Sequence, residues 1–147
     1  MASVLNDIKK TKFSEFTDVL KTVKFTVDDL LLLRGAPKDR RNWLDEAISQ
    51  IYPAYDERLS KYDKIRIQKN NLLKDENIDE NLLEIYNDQL AITGANIIFL
   101  RKKFIKEIER IAITRHGIIS DSETLSIIYD CPVDKIEGIS AYLKEEM

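Results

Sequence analysis

The sequence predicts an all-α fold: a long antiparallel helical hairpin with packed N-terminal helices and a small C-terminal helical pair of helix-turn-helix type. Three observations predict it. Only four Gly and three Pro interrupt the 147 residues, which favours long helices over a fold with many turns. Two long stretches repeat apolar residues at steps of three or four. The second, from Asn77 to about Arg115, carries apolar residues on two opposite faces, so other protein must lie on both sides.

Composition narrows the function classes. Charged residues make up 33% and hydrophobic residues 44%, too apolar for wholesale disorder. The formal net charge of −3 gives no global basic field toward nucleic acid or membrane. One cysteine, Cys131, cannot form an internal disulfide, so a reducing, cytoplasmic setting is expected. No apolar stretch follows Met1-Ala2, so a secretory leader is not expected, and no stretch has the length of a membrane span. Abundant Lys, Ile, Asn, Asp and Glu suggest a phage or a low-GC bacterium as source.

The elements follow in order. Phe13, Phe16, Val19, Leu20 and Val23 have helical spacing, with Ser14 as a start, after an apolar group at Val4, Leu5 and Ile8. Thr26 caps the run Leu30 to Leu33, with Asp28 and Asp29 at its positive end; Gly35 stops it and Pro37 prevents continuation. This predicts a short, well-buried helix. Leu44, Ile48, Ile51, Tyr55, Leu59, Tyr62 and Ile65 then hold one register to Leu72. Pro53 interrupts it, either kinking one helix over 39–73 or separating two helices at Tyr52; the unbroken register favours the kink.

After Lys74-Asp75-Glu76, Asn77 with Glu80 has the capping-box spacing. The main apolar face comprises Leu83, Tyr86, Leu90, Gly94, Ile97, Leu100, Phe104, Ile108 and Ile111. Gly94 within that stripe costs about 1 kcal/mol relative to Ala, so a close helix crossing is expected there. Ile85, Ile92 and Phe99 recur every seven residues on the opposite side, to be covered by the N-terminal helices or by another subunit. Two such helices of roughly 50 Å overhang a globule about 40 Å across, so an elongated shape or an oligomer is expected. After His116-Gly117, helices over 121–130 and 133–146 flank Cys131-Pro132, with Ser120 and Glu123 as a capping pair. The domain reading is therefore 1–117 for the hairpin with its N-terminal helices, and 118–147 for the C-terminal pair.

The chemistry-bearing residues are sparse. His116 and Cys131 lie in different segments; the first fits a helix C-terminus and the second a packed turn. No glycine-rich phosphate loop, CxxC, HExxH or GxSxG occurs, so no catalytic residue, cofactor or metal is assigned. The acids Asp75, Glu76, Asp79, Glu80, Glu84 and Asp88 have a simpler role than a metal site: they face Arg58, Lys61, Lys64, Arg66 and Lys69 across the hairpin and set its register. Lys102, Lys103, Lys106 and Arg110 extend the line of Ile85, Ile92 and Phe99 and suit phosphate contacts, although Glu107 and Glu109 flank them.

Leu125, Tyr129, Cys131, Ile136 and Ile139 have helix-turn-helix offsets, but Asp130 stands where such turns usually carry glycine. Seven acids against two bases from Ile118 to Met147 oppose phosphate approach, which favours protein docking through residues such as Tyr142. The pattern of an acidic helix, a turn, and a helix ending in Tyr142-Leu143-Lys144-Glu145-Glu146 resembles a short segment of the late-transcription coactivators of T4-like phages. The resemblance covers under a fifth of the chain, and no site is carried across.

These readings predict a non-enzymatic helical interaction or assembly protein, an adaptor or scaffold. A protein partner is expected, with a second copy of the chain as one candidate. The alternative is a nucleic-acid-binding accessory protein using the basic helix stripe.

Overall fold

The computed structural model describes residues 3–5, 8–10 and 23–131. The chain is all-α in class and divides into two compact units, Met1–Ala54 and Tyr55–Met147. Gly117, after which the sequence places a boundary, lies within a helix that runs on to Ile119.

The first unit opens with two three-residue strands, β1 (Ser3–Leu5) and β2 (Ile8–Lys10), paired antiparallel with Leu5 opposite Ile8. Val4, Leu5 and Ile8 thus belong to a small ribbon. The helix expected from Ser14 to Val23 lies outside the described residues, apart from Val23. Next come a 3₁₀ turn, Val27–Leu30, and a single helical turn, α1 (Leu31–Arg34). The Thr26 N–H donates to the Asp29 carboxylate, and the Asp29 N–H donates back to the Thr26 carbonyl at 3.0 Å. Thr26 therefore starts the turn through its backbone; its hydroxyl also donates to Asp29, at 3.3 Å. Burial of the run is not complete as expected: Leu30 is 62% exposed and Leu32 is half-buried.

Helix α2 spans Pro37–Ile51, with proline in its first turn, where the missing N–H costs nothing. The Asp39 carboxylate accepts the Ala36 N–H at 3.0 Å. Leu44 and Ile48, four residues apart on one face, are buried. The helix ends at Tyr52 rather than kinking through Pro53. A proline disfavours helical angles in the residue before it, and Tyr52 sits at φ −119°, ψ 91°. Its N–H still closes the last turn on the Ile48 carbonyl at 2.8 Å.

The second unit is built on α3 (Ala54–Leu72) and α4 (Glu80–Ile119). Helix α4 starts two residues later than the Asn77 spacing predicts. Its cap is Asp79, whose side chain accepts the Leu82 N–H at 3.1 Å. It then runs 40 residues through His116-Gly117 to a C-cap at Ser120.

Three contacts set the register of the pair. A Cβ built on Gly94 would stand 3.3 Å from the Tyr62 ring, so the close crossing expected at Gly94 is present. The Arg58 guanidinium reaches the Asn96 side-chain oxygen at 3.5 Å, and Arg101 Nε donates to the Tyr55 hydroxyl at 2.9 Å. As the α3 number falls from 62 to 55, the α4 number rises from 94 to 101, which makes the helices antiparallel and in step. The register rests on this aromatic–glycine crossing and these polar contacts, and Arg66 pairs with Asp63 on its own helix at 3.1 Å. Along α4 the apolar face is buried or half-buried from Leu83 to Ile108; Ile111 is 53% exposed, so the stripe ends one turn early.

The helix predicted over 121–130 is absent; residues 121–131 carry no helix. Leu125, Ile127, Tyr129 and Cys131 are at least partly buried while Ser126, Ile128 and Asp130 are exposed. That is a period of two, which the run Ile127-Ile128-Tyr129 favours and a helix does not. The segment turns back along α4: Glu109 accepts the Ile127 N–H at 3.0 Å, and His116 Nε2 lies 3.7 Å from Glu123. Glu123 therefore faces His116 instead of boxing with Ser120. The second C-terminal helix, over 133–146, lies outside the described residues.

Candidate nucleic-acid interface

The face of α4 opposite Gly94 carries the residues singled out for binding. Projected at about 100° per residue, Ile85, Ile92 and Phe99 fall in a line that Lys103, Lys106 and Arg110 continue, with Lys102 at its edge. The Asp79 cap and the Tyr62–Gly94 crossing fix this face, because they set where the helix starts and which side meets α3.

Its apolar half is unevenly covered. Ile85 and Ile92 are 50% and 51% exposed, whereas Phe99 is half-buried and Ala95, on the same side, is buried. The cover expected over Ile85 and Ile92 is not seen among the described residues. Tyr142, the other expected docking residue, lies outside them.

In the basic half, Lys103, Lys106 and Arg110 are exposed and Lys102 is half-buried. The four stand within about 12 Å along the axis, at 1.5 Å per residue. Lys102 and Lys103 already make polar interactions within the chain. Of the two flanking acids, Glu107 is exposed and Glu109 is committed to the Ile127 N–H. Glu109, which looked set to neutralise the stripe, is thus partly occupied elsewhere, and Lys103, Lys106 and Arg110 are its exposed cations.

His116 occupies the last turn of α4, where a helix favours positive charge, and its side chain is 28% exposed beside Glu123. Cys131 is buried. With Leu59, Tyr62, Gly94, Ile97 and Tyr129 it lines a cleft of about 230 Å³, smaller than most small-molecule sites and best described as a packing gap beside the returning segment. Among the described residues no group of three or more His, Cys, Asp or Glu side chains is placed to hold a metal. Among them, too, no helix is long and apolar enough to cross a membrane.

Two features of the site escaped sequence reasoning: the turning of Glu109 toward residue 127, and the alternation from Leu125 to Cys131. The second was signalled by β-branched and aromatic residues at consecutive positions.

No family model matches the chain. It is 39% identical over 126 residues to the DNA replication and repair protein RecF of Clostridioides difficile (strain 630), covering 85% of this chain and 34% of that protein. It is 38% identical over 137 residues to the protein of the same name from Thermosynechococcus vestitus, covering 90% of this chain and 36% of that one. The solved structure of the recombination mediator protein RecF with ATP, of the RecFOR pathway, matches with a TM-score of 0.75 at 27% identity, over 95% of this chain and 40% of that one. The chain therefore spans about a third of the length of the curated relatives it matches. These relatives are bacterial and lend no support to a phage source or to the coactivator resemblance.

Proposed function

We propose that this chain forms the helical part of a RecF-like DNA replication and repair protein and contributes a nucleic-acid contact through the basic half of α4. The observation that carries the reading is the similarity of most of the chain to proteins named for DNA replication and repair. It favours the nucleic-acid alternative over a free-standing adaptor or scaffold. The exposure of Lys106 and Arg110, with Glu109 turned away, is consistent with phosphate contact. The chain itself acts without catalysis in this reading, because it holds no glycine-rich phosphate loop.

The test is titration of a labelled DNA duplex at about 50 mM and about 200 mM salt. Binding through four cations would weaken on the order of 100-fold across that range, since the logarithmic slope is about −0.9 per phosphate. Replacing Lys106 and Arg110 by glutamine lowers the slope by about two. Absence of binding at the lower salt sinks the reading.

A second reading is supported by the half-exposed Ile85 and Ile92: the apolar half of the same face docks a protein, either another part of a longer chain or a second copy. Light scattering separates these. A mass of one chain at all concentrations removes the second copy.

A further inference from the structure

The turn between α1 and α2 is the most basic short stretch among the described residues of the first unit. Arg34, Lys38, Arg40 and Arg41 fall within eight residues, and all four are exposed. Lys38 and Arg41 stand three apart on α2 and so share a face. The Arg40 guanidinium folds back to donate to the Gly35 carbonyl at 3.1 Å, which brings its charge over the turn beside the end of α1. The one acid in the stretch, Asp39, has its carboxylate engaged by the Ala36 N–H. Among the described residues no carboxylate pairs with Arg34, Lys38 or Arg41. The positive end of the α2 dipole lies at the same turn and adds to the field. In a chain of net charge −3, this is a local reversal of sign with a fixed backbone beneath it.

We infer that Arg34, Lys38, Arg40 and Arg41 form a second phosphate-contacting surface, which grips a nucleic-acid backbone independently of the α4 stripe. The inference rests on the nucleic-acid reading above. Exposed cations on a short, anchored turn suit sequence-independent contact with phosphates: they position the duplex and do not read its bases. Arg40 is held by its own hydrogen bond, and Arg34, Lys38 and Arg41 supply the mobile charges around it.

The full chain is titrated with a labelled duplex across a series of salt concentrations, in wild-type form and as the triple variant Arg34→Gln, Lys38→Gln, Arg41→Gln. The variant is expected to lower the salt slope by about three. All three side chains are exposed, and an unchanged circular-dichroism spectrum shows that the fold survives. A second variant, Arg34→Lys with Arg41→Lys, keeps the charge and is expected to keep the slope. Wild-type binding with an unchanged slope in the glutamine variant overturns this surface and leaves the α4 reading standing. Loss of the slope in the lysine variant also overturns it, because charge would then not be the operative property. No wild-type binding at low salt overturns both.

Discussion

Between Thr93 and Phe104, α4 buries Thr93, Ala95, Ile97 and Phe104, while toward both ends of the same helix large apolar residues stand in solvent. Ile85 and Ile92 precede that stretch, and Ile111, Ile113, Ile118 and Ile119 follow it, each 46% exposed or more. The difference lies in the contacts that the centre makes with α3. The centre has Gly94 against Tyr62 and Arg101 bonded to Tyr55, and the small residues Thr93, Gly94 and Ala95 let neighbours approach closely. Thr93 keeps its hydroxyl satisfied by donating to the Gln89 carbonyl at 2.7 Å, so its burial leaves no unpaired polar atom. One helix is thus a structural core at its middle and an accessible surface at its ends.

Mutations can break or sharpen this contrast. Phe104→Ala, at the centre, is expected to destabilise by about 3–5 kcal/mol through lost burial and a cavity, read as a lower denaturant midpoint. Gly94→Leu overfills the crossing against Tyr62 and should cost about 1–3 kcal/mol; a wild-type midpoint would show that the helices part freely there. Asp79→Ala removes the cap at the exposed start and should cost about 1 kcal/mol, with helical signal lost from the first turn of α4. Ile92→Gln, outside the core, should shift stability by no more than about 0.5 kcal/mol. A much larger loss would mean that residue 92 is covered in solution, by a second copy or by another segment.

Much of the second unit was legible in the residues. The main stripe of α4, its antiparallel pairing and the crossing at Gly94 all follow from periodicity and from one glycine in an apolar face. Pro53 was harder. Apolar register runs unbroken through it, so the side-chain pattern favoured a kink, but the break comes from the backbone restriction on Tyr52, which no side-chain pattern records. The cap was ambiguous because Asn77-Ile78-Asp79-Glu80 offers two acceptors, and geometry chose Asp79. Residues 121–131 misled because Leu125 and Tyr129 are four apart and fit a helix equally well; only burial separates the two periods. At the candidate site the basic line on α4 was visible, but the prior commitments of Lys102 and Lys103 were not, since residue spacing does not record them. The cations at 34–41 flank Gly35 and Pro37, whose effect on the backbone is the stronger signal in that stretch.

The bond from Glu109 to the Ile127 amide has a kinetic consequence. It joins residues 18 apart in sequence, whereas the Arg101–Tyr55 bond joins residues 46 apart. Closing the shorter loop costs about 0.8 kcal/mol less entropy, from the logarithm of the length ratio. The returning segment is therefore expected to settle onto the end of α4 before the hairpin closes at its middle. In a folding experiment, amide protection at residue 127 should appear ahead of the burial of the Tyr55 ring. The returning segment would then already lie at Glu109 while the early half of the long helix still searches for its partner.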